Sequence, residues 1–365
     1  MEGLLIRPRP EMERVPPPRH GGPPREGEPS PAPIRIDFSS NVNARGPAPS
    51  VIEAAQAAGI ADYPDPDAVA PREALSRLWG QPTERIRFAP GATELIHRIC
   101  RVFLRPGDLT VVPGPTFGEY ARAALLAGGR VHEVRGESPR FHLPLAELVR
   151  TCRELRPRLV FLCAPNSPTG ENPSPEMVKE VARAIPQDGL LVLDDSFRSF
   201  VTARFDPPML ATEAVAGTVL VVRSLTKDLA LAGLRAGAAL GHPELLTALD
   251  GAAIPWGASA PAQAATVAAL EEEGLHHLRE SVHEMVRERA RLAGSLRSLG
   301  WSPLPSSTNF LLCRVATALQ VTQDLSKVGL RVRDCISFGL PNHVRVAVRR
   351  AGENEELVGA LEARG

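Results

Sequence analysis

The residues with the clearest chemical potential stand together in Ser224-Leu225-Thr226-Lys227, with Arg235 following the lysine a short way on. The apolar run Val219-Leu220-Val221-Val222 leads into them and reads as a buried strand. A lysine at the end of such a strand is desolvated, which lowers the pKa of its ammonium group. An unprotonated amine attacks carbonyls, so the position suits Schiff-base chemistry. Two hydroxyls and a guanidinium beside it suit a phosphate. A single loop lysine is ordinarily solvent-facing, so the reading depends on what else the chain brings to the same place.

Other apolar runs end in the same way. Ile86-Arg87-Phe88-Ala89 leads through Pro90-Gly91 into a helix start at Ala92-Thr93-Glu94, whose free N–H groups can cradle a phosphate. Leu109–Val112 ends in Pro113-Gly114-Pro115-Thr116-Phe117, where Phe117 could stack on a flat heteroaromatic ring. Leu159–Cys163 ends in Ala164-Pro165-Asn166-Ser167-Pro168-Thr169-Gly170, and Leu190–Leu193 in Asp194-Asp195-Ser196-Phe197. Continuous apolar strands alternating with helices predict an α/β fold with a mainly parallel sheet covered on both faces. Ligands of such sheets lie beyond the carboxyl ends of the strands, which is where these polar clusters fall.

Around this centre the chain divides unevenly. Residues 1–33 are crowded with Pro, Gly, Arg and Glu and are expected to be largely disordered, with His20-Gly21-Gly22 set apart as a possible motif. Residues 34–52 read as an arm joining a small domain, 53–255 as the large domain, and 256–365 as a linking helix and a small α+β domain. Within the arm, Ile34–Phe38 alternates like a strand, and Ser50 with Glu53 reads as a capping box. Ser174-Pro175 opens a helix. A single long helix is expected from Ala260 to Arg297, with His276, His277 and His283 on its solvated face. Strands follow at Asn309–Leu312, Leu330–Arg333 and His343–Val348, placing Arg333 and Arg345 on neighbouring segments where each could clamp a carboxylate.

The totals exclude several classes. Lys plus Arg and Asp plus Glu number 42 each, so neither nucleic acid nor an anionic membrane is favoured as partner. No run approaches the ~18–20 apolar residues of a spanning helix, and Met1–Pro33 lacks the apolar core of a signal peptide. Five scattered cysteines with no CxxC pair read as reduced thiols, and a cytoplasmic location is expected. Asp194-Asp195 has no histidine or third carboxylate at fitting spacing, so no metal is expected.

Together the motifs resemble the fold-type I pyridoxal-phosphate enzymes of the aspartate-aminotransferase superfamily. The resemblance runs from about residue 34 to the C-terminus. It rests on Tyr63-Pro64, Gly91-Ala92-Thr93-Glu94, Asn166-Ser167-Pro168-Thr169-Gly170, Asp194-Asp195-Ser196-Phe197, Ser224-Leu225-Thr226-Lys227 with Gly233-Leu234-Arg235, and Arg345–Arg349, in that order. It implies pyridoxal 5'-phosphate as cofactor, Lys227 as the lysine that carries it, and Asp194 as partner of its pyridine nitrogen. By the same resemblance Arg235, Ser224, Thr226 and the N–H groups of Ala92 and Thr93 hold its phosphate, and Phe117 stacks on its ring. Asn166 or Ser167 faces its phenolic oxygen. Tyr63 reaches the phosphate of the other subunit in a homodimer with shared sites. Arg345 and Arg333, with Asn43, bind the substrate.

Within that superfamily two subgroups share these motifs. The threonine-phosphate decarboxylases of cobalamin biosynthesis also resemble this chain at His20-Gly21-Gly22, Asp37–Asn43, Arg223–Lys227, Pro255-Trp256 and Arg333-Asp334-Cys335. This resemblance implies decarboxylation of L-threonine O-3-phosphate as the activity. The alternatives are an aminotransferase of the histidinol-phosphate type, and a member that has lost catalysis and only binds. Ser167, Asp195, Phe197 and Ala44 depart from the usual asparagine, glutamate, transaminase tyrosine and proline.

Overall fold

The computed structural model describes residues 9–18, 20–22 and 32–363. Strand β1 (Ile36–Asp37) belongs to the arm. Strands β2 (Ile86–Ala89), β3 (Leu109–Gly114), β4 (Arg130–Arg135), β5 (Leu159–Cys163), β6 (Leu190–Asp194), β7 (Val219–Ser224) and β8 (Gly237–Leu240) form one sheet. Its order is β2-β8-β7-β6-β5-β3-β4. Neighbours are parallel except β8, which runs antiparallel to both β7 and β2. The mainly parallel α/β fold is therefore as the sequence predicts.

Strands β5, β6 and β7 form the centre, and every one of their residues is buried. Burial on both faces explains their unbroken Val/Leu character. Truncating one of these leucines to alanine should cost about 2–5 kcal/mol. Strand β8 carries only Gly237-Ala238-Ala239-Leu240, too small a set to register as a hydrophobic run, yet it is wholly buried. Its smallness has a use: a Cβ on Gly237 would lie 2.6 Å from the Ala92 nitrogen, so glycine lets the strand press against a helix start. The edge strand β4 is mostly exposed and charged, which protects a sheet edge from pairing with other chains.

A second, four-stranded sheet has the order β12-β13-β10-β9, from β9 (Ser302–Pro303), β10 (Phe310–Arg314), β12 (Arg333–Asp334) and β13 (His343–Ala347). The expected strand Leu330–Arg333 is in fact two short pieces, and β11 (Leu330–Arg331) pairs in parallel with β1 instead. This pairing ties the arm to the smaller sheet. Ala347 N–H also donates to Phe38 O at 2.9 Å, and the Asn309 amide to Asn41 O at 2.9 Å, so residues 38–41 are held beside β13.

Other local expectations are corrected. The helix Pro49–Ala57 has Ala48 as its N-cap and no side-chain cap; Ser50 lies inside its first turn, where a capping hydroxyl cannot reach forward. Ser174 does cap the helix Pro175–Ala184, accepting from Met177 N–H. The single helix expected from Ala260 is two, Ala260–Ala269 and Glu272–Ser298. Glu271-Glu272-Glu273 marks the second start, since carboxylates favour a helix N-terminus. Gly274 lets the two helices meet, because a Cβ there would lie 2.5 Å from Ala269 O. His276 and His283 face solvent, but His277 is half-buried and bonded to Gly46 O at 3.0 Å. The N-terminal segment expected to be largely disordered contributes a helix, Pro10–Arg14, and the ordered residues His20–Gly22; the rest of 1–33 lies largely outside the described residues.

Candidate active site

The carboxyl ends of the parallel strands open into a cavity of about 390 Å³. Lys227, Asp194, Ser224, Thr226, Arg235 and Phe117 all line it, together with Ala92, Thr93, Ser167, Arg333 and Arg345. Strand β7 supplies Ser224 as its last residue, and the loop after it supplies Thr226 and Lys227. Strand β6 ends on Asp194, and Arg235 lies where the chain turns back into β8. Residues more than two hundred positions apart are brought together because sheet order, not chain order, sets who is adjacent.

One wall gathers the kinds of donor that a phosphate needs. Ser224 Oγ and Thr226 Oγ1 lie 2.6 Å apart beside the start of the helix Ala92–Phe103. Arg235 adopts a left-handed backbone with φ 59°, a conformation that costs a non-glycine residue about 1 kcal/mol or more. That turn aims its guanidinium at the helix start, where a Cβ on Gly91 would sit 2.9 Å from Arg235 Nη2. Helix N–H groups, two hydroxyls and a guanidinium converge on a space that only glycine leaves open.

On the floor lies Asp194. Its carboxylate accepts from Ser196 N–H at 3.0 Å and from the Tyr120 hydroxyl at 2.6 Å. Burial pushes its pKa up, opposed by those hydrogen bonds and by the charge of Lys227. Burial and the neighbouring Asp194 together raise Tyr120 well above the usual phenol range, so its hydroxyl stays a donor. Lys227 opens onto the cavity, and burial followed by the positive charges of Arg345 and Arg235 pulls its amine down to about 8. That is the perturbation expected of a nucleophilic or proton-transferring amine.

The opposite wall comes from the smaller sheet. Arg333 and Arg345 are direct cross-strand partners in β12 and β13. Like charges in that arrangement repel, which suits a site that takes an anion between them. Arg345 donates to Ser167 Oγ at 3.0 Å and to Ser39 O at 2.8 Å, while its buried Nε has no hydrogen-bond partner among the described residues. Burial pulls its guanidinium down to about 10. Arg333 donates to Ser337 Oγ at 2.6 Å and lies over the Phe338 ring.

Three expected site residues are placed elsewhere. Asn43 does not line the cavity: its amide donates to Asp228 O and Ser281 Oγ, holding the loop of Lys227 from behind. The Asn166 side chain is spent on Pro115 O, Thr169 Oγ1 and Thr116 Oγ1, whereas the adjacent Ser167 faces the cavity. Tyr63 is 78% exposed and stacks on Trp256 at 4.5 Å, away from the cavity of its own chain.

Other lining residues had no signal of their own in the sequence. Tyr120 sits in a helix as an ordinary aromatic until the fold sets it under Asp194. Ser196 and Ser39 are common loop hydroxyls. His20 and Gly21, set apart in the sequence as a possible motif, also line the cavity. Buried Glu119 holds His20 there, bonded to it at 2.8 Å and to His97 at 2.7 Å. Burial opposes the charge on Glu119, but the two histidines outweigh it and keep the carboxyl far below its ordinary value.

Comparison with known proteins agrees with this geometry. A model of the family described as aminotransferase class I and II matches residues 33–363. A histidinol-phosphate aminotransferase of Symbiobacterium thermophilum is 33% identical over 333 residues, covering 90% of each chain. That of Roseiflexus castenholzii is 34% identical over 340 residues, covering 90% of this chain and 89% of the other. Among solved structures, a histidinol-phosphate aminotransferase of Sinorhizobium meliloti in complex with pyridoxal-5'-phosphate superposes with a TM-score of 0.83 at 26% identity, covering 91% and 92%. An L-threonine-O-3-phosphate decarboxylase of Porphyromonas gingivalis shares the fold, with a TM-score of 0.77 at 23% identity, covering 90% and 99%.

Proposed function

The chain belongs to the aminotransferase class I and II family and is a pyridoxal 5'-phosphate enzyme, and on that premise we propose that it transfers the amino group of a small phosphorylated amine of the histidinol-phosphate type. The observation that carries the substrate class is the second anion site. Arg235 and the hydroxyls would serve one phosphate, and the cross-strand pair Arg333–Arg345, which lines the same cavity, would take a second anion. Guanidinium pairs accept a phosphate or a carboxylate alike, so one wall can serve both the phosphorylated amine and a dicarboxylic amino acceptor. The relatives at 30% identity and above weigh toward amino transfer.

The residues fit the cofactor, with a phosphate cradle, a floor carboxylate, an amine and the flanking Phe117. Bound there, the cofactor supplies an electron sink for charge developing at the substrate carbon. Asp194 would hold a proton on the ring nitrogen, a contact that the Tyr120 hydroxyl and Ser196 N–H keep oriented. Lys227 would take a proton from the substrate carbon and return it elsewhere, a task suited to an amine pulled down to about 8. Arg345 and Arg333 would fix the substrate anion and so decide which bond at that carbon stands in line to break.

Decarboxylation of L-threonine O-3-phosphate is the second reading, and a separate observation favours it. His20-Gly21, part of the motif shared with those decarboxylases, lines the cavity, with the His20 ring 5.6 Å from that of Phe117 and Gly21 against Ser39, whose carbonyl Arg345 also holds. Incubation of the holoprotein decides between them. Glutamate formed from 2-oxoglutarate with no carbon dioxide from threonine phosphate would support amino transfer. Carbon dioxide from threonine phosphate would replace it with the second reading, and neither product would sink both.

We also propose that the chain acts as a homodimer in which Tyr63 completes the phosphate wall of the partner. Exposed Ile60, Ile254 and Trp256 near Tyr63 support this reading. A monomeric mass in light scattering would contradict it.

A further inference from the structure

Beneath the cavity lies a second, entirely buried polar cluster. Each of three cavity residues has a sequence neighbour that points away from the cavity: Asp194 has Asp195, Ser224 has Arg223, and Lys227 has Asp228. At the ends of β6 and β7, where Asp194-Asp195 and Arg223-Ser224 lie, neighbouring side chains leave on opposite sides, and the bend after β7 turns Asp228 the same way. On the far side these three meet. Arg223 has no exposed surface; its guanidinium lies 3.6 Å from Asp228 Oδ2 and 4.0 Å from Asp195 Oδ2. It donates to Ser199 Oγ at 2.6 Å and to Asp206 O at 2.8 Å, and stacks on the Phe205 ring at 4.1 Å. Ser199 passes the contact on, donating to Asp228 Oδ2 at 2.7 Å.

Burying a cation between two carboxylates adds little stability compared with apolar packing, so its value lies in what it fixes. Asp195 and Asp228 belong to two different loops, and each is one peptide from a residue on the cavity side. Asp195 is itself held by Met209 N–H, and Asp228 by Leu229 N–H. Burial raises both carboxyls, Asp195 to about 7, against the opposing charge of Arg223. The guanidinium is therefore the charge that most opposes their neutralisation and, through its contacts, holds them in place.

We propose that Arg223 is a positioning residue that fixes Asp194 and Lys227 relative to one another by gripping the carboxylate next to each in the chain. It touches neither substrate nor cofactor. The inference rests on the cofactor chemistry and is independent of which substrate the enzyme takes.

Three variants of the holoprotein test it: Arg223→Met, Arg223→Lys and Asp228→Asn. Cofactor affinity, the pH midpoint of the visible band of the lysine-bound cofactor, and the melting temperature are measured for each. Asp194, Arg235 and Arg345, the other charges facing Lys227, are unchanged in all three. Arg223→Met strips the counter-charge from two carboxylates. It should weaken cofactor binding about tenfold or more and shift the midpoint away from its wild-type value, because loops released from the guanidinium no longer hold Lys227 at a fixed place relative to Asp194 and the other charges that set its pKa. Asp228→Asn, which releases only the loop of Lys227, should shift the midpoint as well, and Arg223→Lys should recover part of the Arg223→Met loss. If the melting temperature falls while midpoint and affinity stay at wild-type values, the cluster is only structural and the proposal fails. Should Arg223→Met not fold, near-isosteric Asp228→Asn carries the test, and an unmoved midpoint there overturns it.

Discussion

The two walls of the cavity are built by different means. The wall that we propose holds the cofactor comes from one sheet, where consecutive strand ends and their loops deliver Asp194, Ser224, Thr226, Lys227 and Arg235 within 42 residues of chain (194–235 inclusive). The wall that we propose for the substrate is assembled from Ser39, Ser167, Arg333 and Arg345, which come from the arm, the large sheet and the small sheet. Its pieces are held by tertiary contacts such as Arg345 to Ser39 O and Ser167 Oγ. A wall made of local chain segments is set by the sheet that carries it. A wall made of distant segments can change with any of its supports, so one cofactor chemistry can be combined with several substrates.

Three substitutions sharpen that contrast. The largest effect is expected at Lys227→Ala, which should abolish the visible band of the bound cofactor and lower turnover by at least about a thousandfold. The fold should persist, because the lysine opens onto the cavity and packs no core; circular dichroism and absorbance check both. Retained band and turnover would show the chemistry to lie with another amine.

A middle effect is expected in the other wall. Arg345→Lys keeps a charge but cannot contact Ser167, Ser39 and an anion together. Losing a charge-assisted contact of about 1.5–3 kcal/mol predicts a rise of roughly ten- to a hundredfold in KM with the visible band unaltered. A changed band with unchanged KM would mean that the walls are not separable in this way. The smallest effect is expected at Tyr120→Phe, which removes only the hydroxyl donating to Asp194. About 1.5 kcal/mol, or roughly tenfold in turnover with KM preserved, is the expected loss. An equal change in KM would place Tyr120 with the substrate wall.

The same contrast explains which residues were legible. Lys227, Asp194, Ser224, Thr226 and Arg235 announce themselves because apolar strands end on them, and burial of a polar group at a strand end is itself a signal. Arg333 and Arg345 were found as a pair because short strands carry both. Tyr120, Ser196 and Glu119 carried no such mark, since a tyrosine, a serine or a glutamate near a helix start has many ordinary roles. Asn43 was misplaced for the converse reason: its motif lies near the site in sequence pattern, but its amide turns to brace Asp228 O. Strand β8 escaped notice because its Gly and Ala residues bury little apolar surface.

Periodicity, strand-end chemistry and ordered motifs in the sequence by themselves determined the fold class and the cofactor, and singled out the lysine that we propose carries it. These are local properties, written in stretches short enough for neighbouring residues to define them. Tertiary structure alone decided that Arg333 and Arg345 lie opposite one another, that Ser167 rather than Asn166 faces the cavity, and that His20 reaches it. Those facts depend on strand register and on hydrogen bonds between segments 306 residues apart, as in Arg345 to Ser39. Such distances between residues are fixed only when the sheets pack, because no local preference encodes them.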